Sequence, residues 1–223
     1  MRKINLIVIG IVLATKLVIS QDWSSTNLTS FSSIKFPIVP ERIDNFQETI
    51  FTATDSEGVY IVSLRKMPGS ANNLSKEELP EFYKGVSEGA INATNGKLIN
   101  KKDININGCK GIEINYVSNS NPQLPSARFK QIIFVNEYLI SCDFWAFDEQ
   151  KEQTKETKEK FFNSLSIIID NETEKEISNQ KGSYDKEYNI GYQIGKIIGL
   201  LVFLGVAIGI IFLIRFLIKK NKK

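Results

Sequence analysis

The 223-residue chain contains no histidine, only two cysteines, two tryptophans, two methionines and six prolines. Without histidine it lacks the commonest general base and the commonest transition-metal ligand, and two cysteines cannot furnish a four-ligand zinc or iron–sulfur site. Serine or cysteine nucleophiles paired with histidine are excluded on the same ground. There is no glycine-rich phosphate loop either, since Gly108-Cys109-Lys110-Gly111 reads as a turn entering a strand. These gaps point away from an enzyme and give no reason to expect a cofactor or a metal. Charged residues make up 24% and apolar ones 42%, both ordinary for a globular protein, which excludes wholesale disorder and a multi-span membrane protein. The length suits one domain with appendages.

The two ends carry the clearest signals. Met1-Arg2-Lys3 precede an apolar run, residues 4–14, too short to span a bilayer, so residues 1–20 read as a secretory signal peptide with a mature start at Gln21. An uncleaved membrane helix over residues 4–20 is the alternative. At the other end, Ile197 to Ile214 are 18 consecutive uncharged apolar or glycine residues, continued beyond Arg215 by Phe216-Leu217-Ile218. That length crosses about 30 Å of hydrocarbon, and the predicted transmembrane helix occupies residues 190–218. Its C-terminal side holds Arg215 and the basic tail, residues 219–223, against Lys196 alone at its start, which places the C-terminus in the cytoplasm and the bulk of the chain outside.

Charge is partitioned to match. Residues 21–190 hold 19 basic and all 25 acidic residues, while the remaining nine basic residues flank the two apolar segments. An acidic exported domain is a poor match for a phosphate backbone, so nucleic acid is excluded as a partner. Residues 21–33, rich in Ser, Thr and Asn, read as a flexible N-terminal segment. Residues 169–189 read as a polar juxtamembrane stalk that tethers the domain loosely to the membrane.

Residues 34–168 carry the pattern of the exported domain. Ile34 to Ile38, Phe46 to Thr54 and Gly58 to Lys66 read as strands of a small antiparallel sheet. Leu79, Phe82, Tyr83, Val86 and Ala90 then recur at helical spacing, after a Ser75-x-x-Glu78 capping pattern and before Asn95-Gly96. Strands at Lys97 to Asn105, Cys109 to Val117, Ala127 to Val135 and Tyr138 to Phe147 follow, the last two joined by a tight Asn136-Glu137 turn. A charged helix from Glu149 is pinned by Phe161, Phe162 and Leu165. The fold class is α+β: an antiparallel sheet packed with one or two helices, plus one C-terminal transmembrane helix.

A meander of the central strands pairs Ile112 with Gln131 and Gln131 with Cys142. It collects Ile112, Ile114, Phe129, Ile133, Ile140, Cys142 and Phe144 on one face and leaves Cys109 on the other. Cys109 and Cys142, two strands and about 10 Å apart, are then expected to stay free, although an even count in an exported protein ordinarily signals a disulfide.

On Ile34-Lys35-Phe36-Pro37, Glu57 to Val62, Asn107 to Glu113, Ala127-Arg128-Phe129 with Tyr138-Leu139-Ile140, and Phe161 to Leu165, the sequence resembles the PsbP-like modules. These are small α/β sandwiches of photosystem accessory proteins and exported bacterial proteins. The resemblance implies an accessory or binding domain and brings no catalytic residues to carry across.

Three groups of residues remain as candidate sites. The meander register sets Glu113 and Asp143 on the face opposite the core, where two carboxylates on neighbouring strands would serve acid–base hydrolysis. Asp143, Trp145 and Phe147 share that face and form a possible partner surface unless a helix covers them. Gly191, Gly195 and Gly199 recur every fourth residue, as do Gly205 and Gly209, a small-residue stripe suited to self-association or to docking on another membrane protein. The leading reading is a single-pass membrane protein whose extracytoplasmic binding domain tethers a partner or ligand near the bilayer. The alternatives are an extracytoplasmic hydrolase using Glu113 and Asp143, and a structural membrane oligomer built on the glycine stripe.

Overall fold

A computed structural model describes residues 22–45, 48–67, 74–75, 77–119, 121, 123–147, 150, 152–168 and 187–199. The signal segment, the residues from 200 onward with Gly205 and Gly209, and most of the stalk lie outside these.

Among the described residues, ten strands and three helices are arranged in layers. Strands β3 (Glu41–Asn45), β4 (Glu48–Thr54), β5 (Val59–Lys66), β9 (Tyr138–Ala146), β8 (Ala127–Val135), β7 (Cys109–Val117) and β6 (Lys97–Ile106) form one seven-stranded antiparallel sheet in that order. Strands β1 (Ser24–Asn27), β2 (Ser32–Phe36) and β10 (Ser166–Ile167) form a second, three-stranded antiparallel sheet. Helix α1 spans Leu79–Ala93 and α2 spans Lys155–Asn163. Residues 187–199 are helical and are termed α3. The fold is α+β, as the sequence predicted.

The alternation along β5 explains the layering. Val59 and Ile61 enter one core, with Phe82, Tyr83 and Val86 of α1 and Ile194 and Ile198 of α3. Tyr60, Val62 and Leu64 enter the other, with Ile34 and Phe36 of β2, Ile167 of β10 and Phe161 and Phe162 of α2. A strand buried on both faces reads as a continuous apolar run, and period 2 divides its side chains between the two cores.

Local chemistry sets the element ends. The Glu78 carboxylate accepts the Ser75 N–H at 2.7 Å, the reciprocal half of a capping box. Asn95 at φ 48° ends α1 in a Schellman motif, with Gly96 N–H bonded to the Ile91 carbonyl and Asn95 N–H to that of Asn92. Asn136 and Glu137 at φ 46° and 66° make the twisted two-residue turn of the β8–β9 hairpin, and Asn107-Gly108 at 51° and 91° make that of β6–β7.

Four expectations require correction. The segment 21–33 contains β1 and the start of β2, because strand pairing uses backbone groups that Ser, Thr and Asn supply as well as any residue; Trp23 is anchored there edge-on to Tyr60 at 5.6 Å. The charged edge strand β3, ERIDN, went unread because its exposed face carries no apolar alternation. The register of β7 on β8 is one residue away from the meander estimate: Ile112 pairs with Ile132 and Glu113 with Gln131. One residue of slip moves every β7 side chain to the other face. Ile112 and Ile114 therefore join the α1 core, and Cys109 joins Cys142 in the other. Finally, the domain does not end at residue 168, since α3 takes the last three residues of the predicted stalk and the first ten of the predicted membrane helix.

Candidate functional site

The corrected register separates the two candidate carboxylates. Glu113 faces the β2 and α2 side, where it accepts a hydrogen bond from Gln131 Nε2 at 2.8 Å and pairs with Lys102 at 3.1 Å. It lines an open groove of about 550 Å³ between β6, β7 and α2, together with Gln131, Lys102, Lys158 and Phe162. Asp143 projects from the opposite face into the α1 core and is fully buried. Its Oδ2 accepts from Lys130 Nζ at 2.7 Å and from Ser141 Oγ at 2.9 Å, and Lys130 Nζ also bonds Ser141 Oγ at 2.8 Å. With the sheet between them, Glu113 and Asp143 cannot flank one scissile bond.

The proposed partner surface dissolves as well. Asp143 is 0% and Trp145 1% exposed, and only Phe147, at 46%, reaches solvent. Trp145 lies under the guanidinium of Arg128, 3.7 Å from the ring centroid, and Arg128 is itself 1% exposed. The ring face of Trp145 and the electrostatic attraction of Tyr116 and Asp143 together hold the cation. Burial lowers the Arg128 pKa, opposed by Tyr116 and Asp143.

These pairs form a buried polar row across the sheet. Arg128 stands opposite Trp145 and Lys130 opposite Asp143 on β8 and β9. Glu48 and Arg65 lie on the same face four residues along β5 from Ile61, the residue level with Asp143, with Arg65 Nη2 3.4 Å from Glu48 Oε2. Burial raises the Glu48 pKa, an effect that Arg65 opposes. The sequence reading missed the row, although Arg128-x-Lys130 and Asp143-x-Trp145 on adjacent strands contain it. The signal is the i, i+2 spacing of charge within apolar strands, legible only once the hairpin register is fixed. All five charged side chains are buried on the α1 face of the sheet.

Cys109 and Cys142 are buried and unbridged. The separation has a different cause from the one reasoned from sequence. They share a face, but Cys142 is level with Gln131 and Glu113, four residues along β7 from Cys109, which adds about 13 Å along the strand to about 10 Å across it. Burial raises both thiol pKa values. Among the described residues no group of three or more acidic or cysteine side chains could hold a metal ion.

The glycine stripe has a partner inside the chain. A Cβ added to Gly191 would strike the Phe82 carbonyl, one on Gly195 the Val86 carbonyl, and one on Gly199 would stand 2.8 Å from the Ala93 Cβ. Reciprocally, Gly85 and Gly89 of α1 lie against the carbonyls of Tyr188 and Tyr192. Helices α1 and α3 thus run parallel, small residue against small residue, close enough for Cα–H to approach carbonyl oxygens across the interface. Asn92 Nδ2 donates to Tyr192 Oη at 3.3 Å, Tyr188 donates its hydroxyl to Glu88, and Lys84 lies over the Tyr188 ring at 5.5 Å. The stripe at Gly191, Gly195 and Gly199 is therefore occupied by α1 rather than left open to a second copy. Among the described residues no helix is long and apolar enough to cross a membrane.

The fold and its cores define a class of protein, an α+β module with an antiparallel sheet covered on both faces. No protein-family model and no curated protein matches the sequence. Among solved structures the chain is similar to cyanobacterial PsbP from Synechocystis, at 12% identity and a TM-score of 0.47, over 66% of this chain and 94% of that one. It is also similar to a protein of unknown function from Pseudomonas aeruginosa, at 12% identity and a TM-score of 0.37, over 61% and 91% respectively. Nothing about this chain's function follows from likenesses of this size.

Proposed function

We propose that the chain is a single-pass membrane protein whose extracytoplasmic domain is a non-catalytic, PsbP-like accessory module that holds a partner close to the bilayer. The observation that carries this reading is the docking of α3 on α1, because residues 197–199 at the end of α3 are also the first of the long apolar run. The docked turns do not exhaust that run. Residues 200–218 are apolar but for Arg215 and, as a helix rising 1.5 Å per residue, measure about 28 Å, which matches the hydrocarbon thickness. The basic residues beyond them favour a cytoplasmic C-terminus.

A hydrolase using Glu113 and Asp143 is disfavoured by their placement on opposite faces, one of them buried in an ion pair. A membrane oligomer built on Gly191, Gly195 and Gly199 is disfavoured by the presence of α1 on that stripe. The test compares the full-length protein with a chain ended after Gly199, both isolated from the native host with whatever co-purifies. The full-length chain is expected to resist alkaline carbonate extraction, the shortened one to be soluble and folded, and both to retain the same partner by mass spectrometry. Release of the full-length chain by carbonate overturns the anchor, and a partner lost with residues 200–223 moves the binding out of the domain.

A further inference from the structure

Among the described residues, most of the exposed large apolar side chains lie at the end of the domain where α3 reaches Gly199 and the apolar run begins. Because α3 runs parallel to α1, Gly199 lies beside Ala93 at the C-terminal end of α1. The strand β6 starts four residues later, and its Leu98 and Ile99 are 45% and 57% exposed. Leu98 is level with Tyr116, Arg128, Trp145, Val59 and Thr54 through successive strand pairings, so the row marks one end of the whole sheet. Phe147 follows the last residue of β9 at that end. Val39, 84% exposed, and Ile38 precede β3, whose first residue pairs with Thr52 near the end of β4. Ile197, 41% exposed, lies in the last turn of α3.

Of the large hydrophobic residues exposed among the described residues, Ile38, Val39, Leu98, Ile99, Phe147 and Ile197 are at this end, and Ile168 alone is not. Isolated exposed apolar side chains are ordinary on any surface; their concentration at one end is not. We propose that this end of the domain lies on the membrane surface, with these side chains entering the headgroup boundary of the same bilayer that the continuation of α3 crosses. The inference rests on the anchored reading above and deepens it: the domain is seated on lipid at a fixed end, not swung on a loose tether. Side chains of this kind partition about 5–10 Å into the boundary between headgroups and acyl chains, each adding apolar burial to what the span supplies. The glycine packing of α3 against α1 fixes which end faces down.

The test uses the full-length protein reconstituted in phosphatidylcholine–phosphatidylglycerol vesicles. Single cysteines introduced as Leu98→Cys and Phe147→Cys are labelled with a fluorophore, and quenching by lipids carrying a nitroxide near the headgroup is measured. Lys66→Cys, level with Tyr138 at the opposite end of the sheet, is the control. These positions are exposed, so the substitutions leave the core intact, and native Cys109 and Cys142 are buried from the label. Loss of fluorescence at 98 and 147 but not at 66 is the expected result. Equal, weak quenching at all three sites in vesicles that retain the protein through carbonate overturns the seating while leaving the anchor standing. Release of the protein by carbonate overturns the anchor and the seating together. Shielding of 98 and 147 in native membranes but not in pure lipid vesicles overturns lipid as the occupant in favour of a membrane protein.

Discussion

Asp143 and Lys130 set the sharpest energetic question at the level of single residues. Each side chain is 1% exposed, and their 2.7 Å contact is the main compensation for desolvating two charges. Asp143→Asn leaves the ammonium buried with a neutral neighbour and is expected to cost about 3–5 kcal/mol in urea unfolding, whereas replacing both residues together with apolar ones of similar volume should recover most of that loss. Arg128 and Trp145 beside them are held by ring contact and burial. Glu48 titrates differently. Its folded pKa is raised by burial, so the fold favours the protonated form. Its contribution to stability is therefore fullest below the unfolded value near 4.3 and falls as pH rises through the folded one. Glu48→Gln removes that titration. The melting temperature of the wild type relative to the variant is expected to be more favourable at pH 4.5 than at pH 7, and a difference that does not change with pH would contradict the assignment.

At the scale of elements, the α1–α3 pair decides how the domain meets its C-terminal segment. Five glycines and Ala93 permit an approach that any larger side chain would block, and Ile194 and Ile198 then reach the core under α1. A Cβ at position 199 would stand 2.8 Å from the Ala93 Cβ, closer than the roughly 3.5–4.5 Å of a disulfide, so Ala93→Cys with Gly199→Cys is expected to cross-link under mild oxidation in the full chain once the two helix ends ease apart by about 1 Å. Adding Gly195→Ile, which drives a branched side chain into the Val86 carbonyl, should abolish that cross-link in a non-reducing gel. A cross-link that survives it would mean the helices pack otherwise. The remaining elements are fixed by ordinary local devices, such as the αL turns at Asn107-Gly108 and Asn136-Glu137 and the Schellman end of α1.

At the scale of the molecule, α3 belongs to the domain and to the start of the apolar run at once, so the place where a truncation falls matters. A chain ended after residue 189 loses the buried Ile194 and Ile198 from the core, and the partly buried Ile190 beside them. At about 1.5–3 kcal/mol for each fully buried isoleucine, it is expected to melt well below a chain ended after residue 199. Equal melting temperatures for the two would show that α3 contributes nothing to the fold. In sequence, the polar segment between Ile168 and Glu187 connects β10 to α3, which packs on the same domain.

The sequence by itself determined what depends on local chemistry: the α+β class, the course of α1 and of β4 to β9, the tight hairpin at Asn136-Glu137, and the long apolar run near the C-terminus. Period-2 and period-3.6 patterns, caps and turn residues act over a few positions and are readable there. What only the tertiary structure decided is which face each pattern meets. A one-residue register difference between β7 and β8 sent Glu113 and Asp143 to opposite sides of the sheet and brought Cys109 round to the side of Cys142. The approach of α3 to α1 across about a hundred residues of sequence turned a stripe suited to membrane dimers into an intrachain seam. The physical reason is the same in both cases. Local preference sets the spacing of side chains along an element, but the partner across the gap is chosen by packing the whole chain, and packing is a property of no short segment.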